Sequence, residues 1–227
     1  MEEVRHNGFT LAEVLVTLGI IGVVSAMTMP TLMQNHQRKV YVTQLHKVYN
    51  EFSQAAVMML NDTNALNLTE AHLTSSAQNV TTNSEAFIKK YFKVVNDCGA
   101  GPATPCFADT YRTLSGATVE ATWSGCHSFA LANGASVCMS GFTNGMAYIL
   151  VDINGAKGPN IAGRDYWVMS LYNDAVIDQA VTEACRKNPE CDKEAAREVY
   201  YYNCDNTGEA PDGCFGRLLN DNWEMNY

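Results

Sequence analysis

FTLAEVLVTLGIIGVVSAMTMPTLM, residues 9–33, decides the architecture of this chain. Glu13 is the single ionisable side chain in the stretch, while Leu11, Val14, Leu15, Val16, Leu18, Ile20, Ile21, Val23 and Val24 put apolar surface on every side. As an α-helix it would extend roughly 37 Å at about 1.5 Å per residue, more than the ~30 Å hydrocarbon core of a bilayer. The pattern predicts a membrane-spanning helix. A carboxylate in such a helix costs about 2.5–3.5 kcal/mol on insertion scales, so Glu13 needs a role. It is either a carboxyl near the helix end, neutral or snorkelling to the interface, or one half of an intramembrane ion pair.

The residues around Glu13 favour the ion pair. Gly8-Phe9-Thr10-Leu11-Ala12-Glu13, behind a short polar leader, resembles the cleavage and methylation signal of type IV prepilins and type II secretion pseudopilins. That resemblance implies a dedicated prepilin peptidase that cuts after Gly8 and methylates the new N-terminal Phe9. It also implies that Glu13 pairs with the terminal amine of a neighbouring subunit during assembly. Pro30 sits where the family often has a proline, and Gly19 and Gly22 precede it in the stretch that loosens in assembled filaments. The leader departs from the usual basic pattern, since Glu2 and Glu3 stand against Arg5 and His6. Arg38 and Lys39 follow the apolar run, so charge alone does not orient it. A secretory signal peptide would place its small-residue cleavage site after the apolar core, whereas here the glycine precedes it.

The remaining chain is long enough for one medium domain. Net charge is −9, and removing two Glu and one Arg with the leader makes it −8. With no basic run longer than two residues, nucleic acid is a poorly matched partner. The eight cysteines, Cys98, Cys106, Cys126, Cys138, Cys185, Cys191, Cys204 and Cys214, all follow the apolar run. Their even number and irregular intervals, without a C-x-x-C pair, predict disulfides in an oxidising compartment rather than zinc. This places the leader in the cytoplasm and the domain outside.

Eight cysteines allow 105 pairings, and local sequence suggests neighbours. Cys98 and Cys106 bracket GAGPATP, Cys185 and Cys191 flank RKNPE, and Cys204 and Cys214 bracket DNTGEAPDG. Cys126 and Cys138 flank a hairpin at Asn133-Gly134. A two-residue turn would put them on opposite faces of the ribbon; a three-residue loop with a bulge would put them on one face. That pair is therefore either bulged or wrong.

Beyond Met33, Leu45, Val48, Phe52, Ala55 and Met59 recur at steps of three and four, an amphipathic continuation of the helix. The family resemblance implies the same layout: one long helix whose first half inserts in the membrane and whose second half underlies a sheet. Residues 61–82 are polar and Asn/Thr-rich, which predicts a surface loop. Ser84–Val95 reads as a helix with Ser84 as cap and Phe87, Tyr91, Phe92 and Val95 inward. Residues 116–123, 126–132, 135–140, 145–153 and 165–172 read as strands of an antiparallel meander. Asp174–Lys187, Glu190–Tyr202 and Cys214–Leu219 read as helices, and Trp223–Tyr227 as a final edge strand.

Asp152, Asn154 and Asp165 are the best candidate ligands for a metal. Oxygen-bearing residues around a glycine turn suit calcium, and major pseudopilins resemble this in carrying a calcium site on a loop of the sheet. The glutamate at position twelve of an EF-hand is missing, since Gly163 stands there. Asn154-Gly155 and Gly158-Pro159 as plain turns are the simpler reading. The wider string VDINGAKGPNIAGRDYW resembles a recurrent stretch of bacterial pilin-like proteins. His6, His36, His46, His72 and His127 are scattered, without an H-E-x-x-H pattern or a Walker A loop, so no enzyme chemistry is indicated. Tyr200, Tyr201 and Tyr202, with Trp123, Trp167 and Trp223, are mainly packing residues.

The expected organisation is a cleaved leader (1–8), a long helix (9–60; membrane-spanning to about 33, amphipathic from about 34), and an α+β domain (61–227) with disulfide-braced C-terminal helices. The resemblance implies a structural subunit of a type IV pilus or type II secretion pseudopilus. Its partners would be the peptidase, other subunits of a helical filament, an assembly platform with its ATPase, and membrane lipid. It would reside in the bacterial inner membrane, then in a periplasmic or cell-surface filament. The alternatives are a minor or tip pilin that binds a surface, sugar or DNA, and a membrane-anchored domain that does not polymerise. No cofactor other than calcium is suggested.

Overall fold

A computed structural model describes residues 10–73, 82–102, 104–120, 125–142, 145–206 and 212–227. Its first element, helix α1 (Leu11–Thr63), runs for 53 residues. The chain divides into two compact units, residues 1–40 and 41–227. In the first unit the apolar side chains from Leu11 to Met33 are exposed on all sides. By length and composition this helix can cross a membrane. Pro30 lies inside it without ending it, although its missing N–H leaves the Ala26 carbonyl without its usual helical donor.

The second unit is α+β. Strands β1 (Val94–Ala100), β4 (Cys126–Leu131), β5 (Ser136–Ser140), β6 (Met146–Asp152), β7 (Tyr166–Tyr172) and β8 (Ile177–Asp178) form a six-stranded sheet in the order β1-β4-β5-β6-β7-β8. Every pairing in it is antiparallel. Strands β2 (Thr110–Arg112) and β3 (Thr118–Glu120) pair separately. Helix α2 (Thr82–Tyr91) precedes the sheet, and α3 (Glu183–Lys187), α4 (Lys193–Asn206) and α5 (Cys214–Asn220) follow it.

Strand alternation divides the core. Ala147, Ile149 and Val151 of β6, with Trp167, Met169 and Leu171 of β7, pack with Leu45, Val48, Phe52 and Ala55 of α1. On the opposite face Leu150, Tyr166 and Val168 pack with Phe107, Tyr111 and the cystines of Cys106, Cys126 and Cys138. All residues of β7 are buried. This explains why YWVMSLY shows no polar alternation: both faces of the strand are covered.

All eight cysteines are bonded, in the pairs Cys98–Cys106, Cys126–Cys138, Cys185–Cys191 and Cys204–Cys214. The ambiguous hairpin resolves to its bulged form. Leu131 N–H donates to Ala135 O at 2.8 Å, leaving Ala132, Asn133 and Gly134 as the loop. Gly134 takes φ +93°, the left-handed step that such a loop requires. Cys126 then faces Ser140 and Cys138 faces Ser128, so the two cysteines share a face at a Cα–Cα distance of 5.5 Å.

Several expectations need correction. Residues 61–73 are not merely a surface loop, because Leu68, Ala71 and Leu73 are buried. Asn173 holds that segment, accepting from Leu68 N–H through its carbonyl at 2.9 Å and from Thr69 N–H through Oδ1 at 2.9 Å. Residues 74–81 lie outside the described part. The helix expected over 84–95 ends at Tyr91, and Val94 and Val95 enter β1. Ser84 is no cap: it is buried within α2 and its hydroxyl donates to Ser140 O at 2.7 Å. Val95 points outward instead of inward, because β1 pairs with β4 and its partner sets which face each residue takes.

The long helix expected from Asp174 is a tight turn into β8, with Ala175 at φ +61° and a short α3 beginning after Thr182. Thr182 caps it by accepting from Cys185 N–H. The next helix starts at Lys193 rather than Glu190 and runs to Asn206. Trp223–Tyr227 forms no strand, since Asn222 and Trp223 both adopt positive φ. Trp223 packs instead against His46, Tyr49 and Phe215.

Candidate functional site

Two groups of residues carry chemistry expected from the sequence. The first is the start of α1. Gly8 and Phe9 lie outside the described residues. Thr10 and Glu13 form a reciprocal cap at the helix start: Thr10 N–H and hydroxyl each donate to Glu13 Oε2 at 2.8 Å, and Glu13 N–H donates to Thr10 Oγ1 at 3.3 Å. This is the capping-box arrangement, with Thr10 at the N-cap and Glu13 three residues on. Both Thr10 donors converge on Oε2, so Oε1 receives neither. The helix thus holds the carboxylate by one oxygen and presents the other. Thr10 is absent from the residues expected to act here, although T-x-x-E before an apolar run is a legible signal for it. A side chain added at Gly19 or Gly22 would meet only open space within the chain.

The second group is the loop between β6 and β7. Asp152 ends β6, Asp165 precedes β7, and both are buried. Asp152 Oδ2 accepts the Tyr111 hydroxyl at 2.5 Å, and Oδ1 accepts Asn154 N–H at 3.1 Å. Asp165 accepts from Asn160 N–H at 2.7 Å and Ile161 N–H at 2.6 Å. The Asn154 amide donates to Gly158 O at 3.3 Å. Burial pushes the Asp152 carboxyl up to about 8 against the opposing hydrogen bonds, and the nearby Asp165 charge adds to the rise. Burial also raises Asp165, against the backbone donors that favour its charged form.

The loop also gathers two asparagines, Asn154 from the expected set and Asn160 from outside it. The side-chain oxygens Asn154 Oδ1 and Asn160 Oδ1 are both buried without a hydrogen-bond partner. Buried acceptors without donors cost free energy. Two buried carboxyls and two unsatisfied amide oxygens therefore make an oxygen-rich loop, although Lys157 and Arg164 belong to the same segment. Such a donor set fits a hard cation such as calcium, and its lack of thiolate and imidazole disfavours zinc. Among the described residues no three His, Cys, Asp or Glu side chains converge, so a cation here would depend on amide and backbone oxygens. Asn160 was invisible to spacing rules because the Gly158-Pro159 turn is what brings it back towards Asp165.

No curated protein and no solved structure matches the chain. Residues 4–29 match the family model of the prokaryotic N-terminal methylation motif, and the chain thus carries the prepilin-type signature of type IV pilins and pseudopilins.

Proposed function

We propose that this chain is a structural subunit of a type IV pilus or type II secretion pseudopilus. It is inserted in the bacterial inner membrane through α1, cleaved after Gly8 by a prepilin peptidase and methylated on Phe9. Other subunits then join it through the same helix, driven by the assembly platform and its ATPase. The observation that carries this reading is the methylation motif at 4–29 on a helix whose apolar side chains are exposed on every side. Four disulfides in the second unit support its export to an oxidising compartment.

Two substitutions test the proposal. Gly8→Val places a branched side chain at the scissile peptide and should leave the leader attached, which intact-mass measurement on membranes reads directly. Glu13→Val should still insert and be cleaved, yet enter sheared filaments below the wild-type level. Normal leader removal in the first variant, or undiminished incorporation of the second, would overturn the corresponding step.

A second reading concerns the β6–β7 loop, and the orphaned Asn154 and Asn160 oxygens favour it. Asp152, Asn154, Asn160 and Asp165 would hold a calcium ion that ties the loop down. Adding calcium at about a hundredfold over its dissociation constant should raise unfolding stability by about 2.7 kcal/mol. A chelator should reverse the gain and Asp165→Asn should abolish it. Identical melting curves with calcium and with chelator would leave the loop as a turn closed by its own hydrogen bonds.

A further inference from the structure

Helix α2 and strands β1 and β4 meet at one imidazole. His127 on β4 has Nδ1 2.8 Å from Glu85 Oε1 on α2 and Nε2 2.5 Å from Asp97 Oδ1 on β1. The other Asp97 oxygen takes Lys89 Nζ of α2 at 2.8 Å. Gly99 N–H also donates to Asp97 Oδ1, at 3.2 Å. The ring stacks on Phe129, with centroids 4.8 Å apart, and Lys89 lies 5.5 Å from the centre of the same phenyl ring. The charged groups facing His127 are thus Glu85 and Lys89 from α2 and Asp97 from β1. Across the β4–β5 ladder its partner is the uncharged Met139.

An ionised carboxylate accepts hydrogen bonds and donates none. Both ring nitrogens face such groups, so both contacts are hydrogen bonds only when the ring carries two protons. In that state two cations balance two carboxylates. A neutral ring turns one lone pair towards a carboxylate oxygen, replacing a charge-assisted hydrogen bond with a repulsion.

We propose that His127 is a proton-operated latch: the protonated ring clamps α2 and β1 onto β4, and loss of its proton to solvent releases them. The side chain is 15% exposed, so the proton has a path out. The segments it joins are distant in sequence, and β1 lies at the edge of the sheet with two register shifts against β4. An edge strand with an interrupted ladder opens more readily than the centre of the sheet, and the latch therefore controls local rather than global opening.

The test uses the full chain in detergent micelles. The His127 ring is followed by NMR over a pH series that runs from its doubly protonated to its neutral form. Backbone amides of Glu85–Lys89 and Asp97 should shift with the midpoint of the ring. Hydrogen-exchange protection of α2, corrected for intrinsic exchange, should fall roughly threefold to fivefold on the alkaline side, as partly exposed pairs imply. His127→Gln should remove this pH dependence, and Glu85→Gln should shrink it while leaving the Asp97 contact. The latch is overturned if the ring titrates while α2 protection stays constant, or if α2 responds equally in His127→Gln. Should His127→Gln fold poorly, the wild-type chain and Glu85→Gln still decide between these outcomes.

Discussion

Between Leu11 and Val40, helix α1 leaves Leu15 62% and Leu18 61% exposed, whereas from Tyr41 onward the same helix buries Leu45 and Phe52 completely. Both stretches are rich in apolar residues, so content does not separate them. Their distribution around the axis does. In the first stretch large apolar side chains cover every side, and no single protein face could shelter them. In the second they return every three or four residues with Gln44, Lys47, Glu51 and Gln54 between them. A one-sided stripe asks for a sheet, and an all-round coat asks for an apolar solvent.

One pair of truncations would break or support that contrast. Phe52 is fully buried, 4.5 Å from Phe92 between ring centroids. Phe52→Ala should destabilise the domain by about 3–5 kcal/mol, because transfer and cavity costs add. Leu18→Ala removes a comparable apolar side chain and should leave the unfolding midpoint of the domain unchanged. Urea unfolding in micelles, followed by tryptophan fluorescence, measures both. Equal losses would mean that the two stretches of α1 belong to one core after all.

The covalent braces come next in size. Cys204–Cys214 joins α4 to α5 across a sequence separation of 10 residues. Replacing both cysteines by serine should cost about 2–5 kcal/mol, the usual range for small secreted domains. Leader removal depends on the other unit and should proceed as in wild type. Limited proteolysis and intact mass on the same membranes would show whether the two properties separate.

What was legible in the sequence follows the range of the forces involved. The stripe on α1, the strands within 126–132, 135–140, 145–153 and 165–172 and the paired neighbours among the cysteines are set by residues close in sequence, and local pattern reveals them. The strand expected at 116–123 instead pairs as Thr118–Glu120 with β2, outside the meander. The Thr10–Glu13 cap is equally local and was readable. The docking of Leu68 and Leu73 depends on Asn173, about a hundred residues away, and polar composition pointed the other way. Ser84 likewise looked like a cap, but β5 supplied a partner carbonyl that made it an interior residue. Helix α2 is shorter than its sequence pattern because β4 offers Val94 a ladder that outweighs one more helical turn. In the β6–β7 loop, Asp152, Asn154 and Asp165 stood out by spacing. Asn160 and Tyr111 did not, since only the folded turn and the separate β2 segment bring them there.

A smaller effect is expected at the hairpin that sets the Cys126–Cys138 register. A methyl group added at Gly134 would meet open space, but the backbone there lies at φ +93°, so Gly134→Ala meets backbone strain without a clash. The cost should be about 1–2 kcal/mol. If the loop instead relaxed to two residues, Cys126 and Cys138 would move to opposite faces and free thiols would appear. Thiol titration under denaturing conditions separates simple strain from a register slip.

The smallest expected effect lies at Asp97, where surface charge rather than burial is at work. Lys89, and after it His127, hold its carboxyl down to about 2 from an ordinary value of 3.8. A depressed carboxyl contributes stability that is fully present above its unfolded value. That contribution fades as pH falls through about 2, where the folded carboxyl takes its proton. Because the side chain is 40% exposed, solvent screening limits the contribution to about 1 kcal/mol or less. Asp97→Asn should therefore lower stability slightly at neutral pH. The gap between the variant and wild type should close as pH falls from about 4 to about 2. Added salt should narrow it at neutral pH as well, while leaving the loss in Phe52→Ala in place, since burial rather than charge sets that term. Urea midpoints across this acid range measure the effect. A gap that persisted at the acid end would mean that Asp97 acts through the Gly99 turn, and that ion pairing at this edge adds nothing.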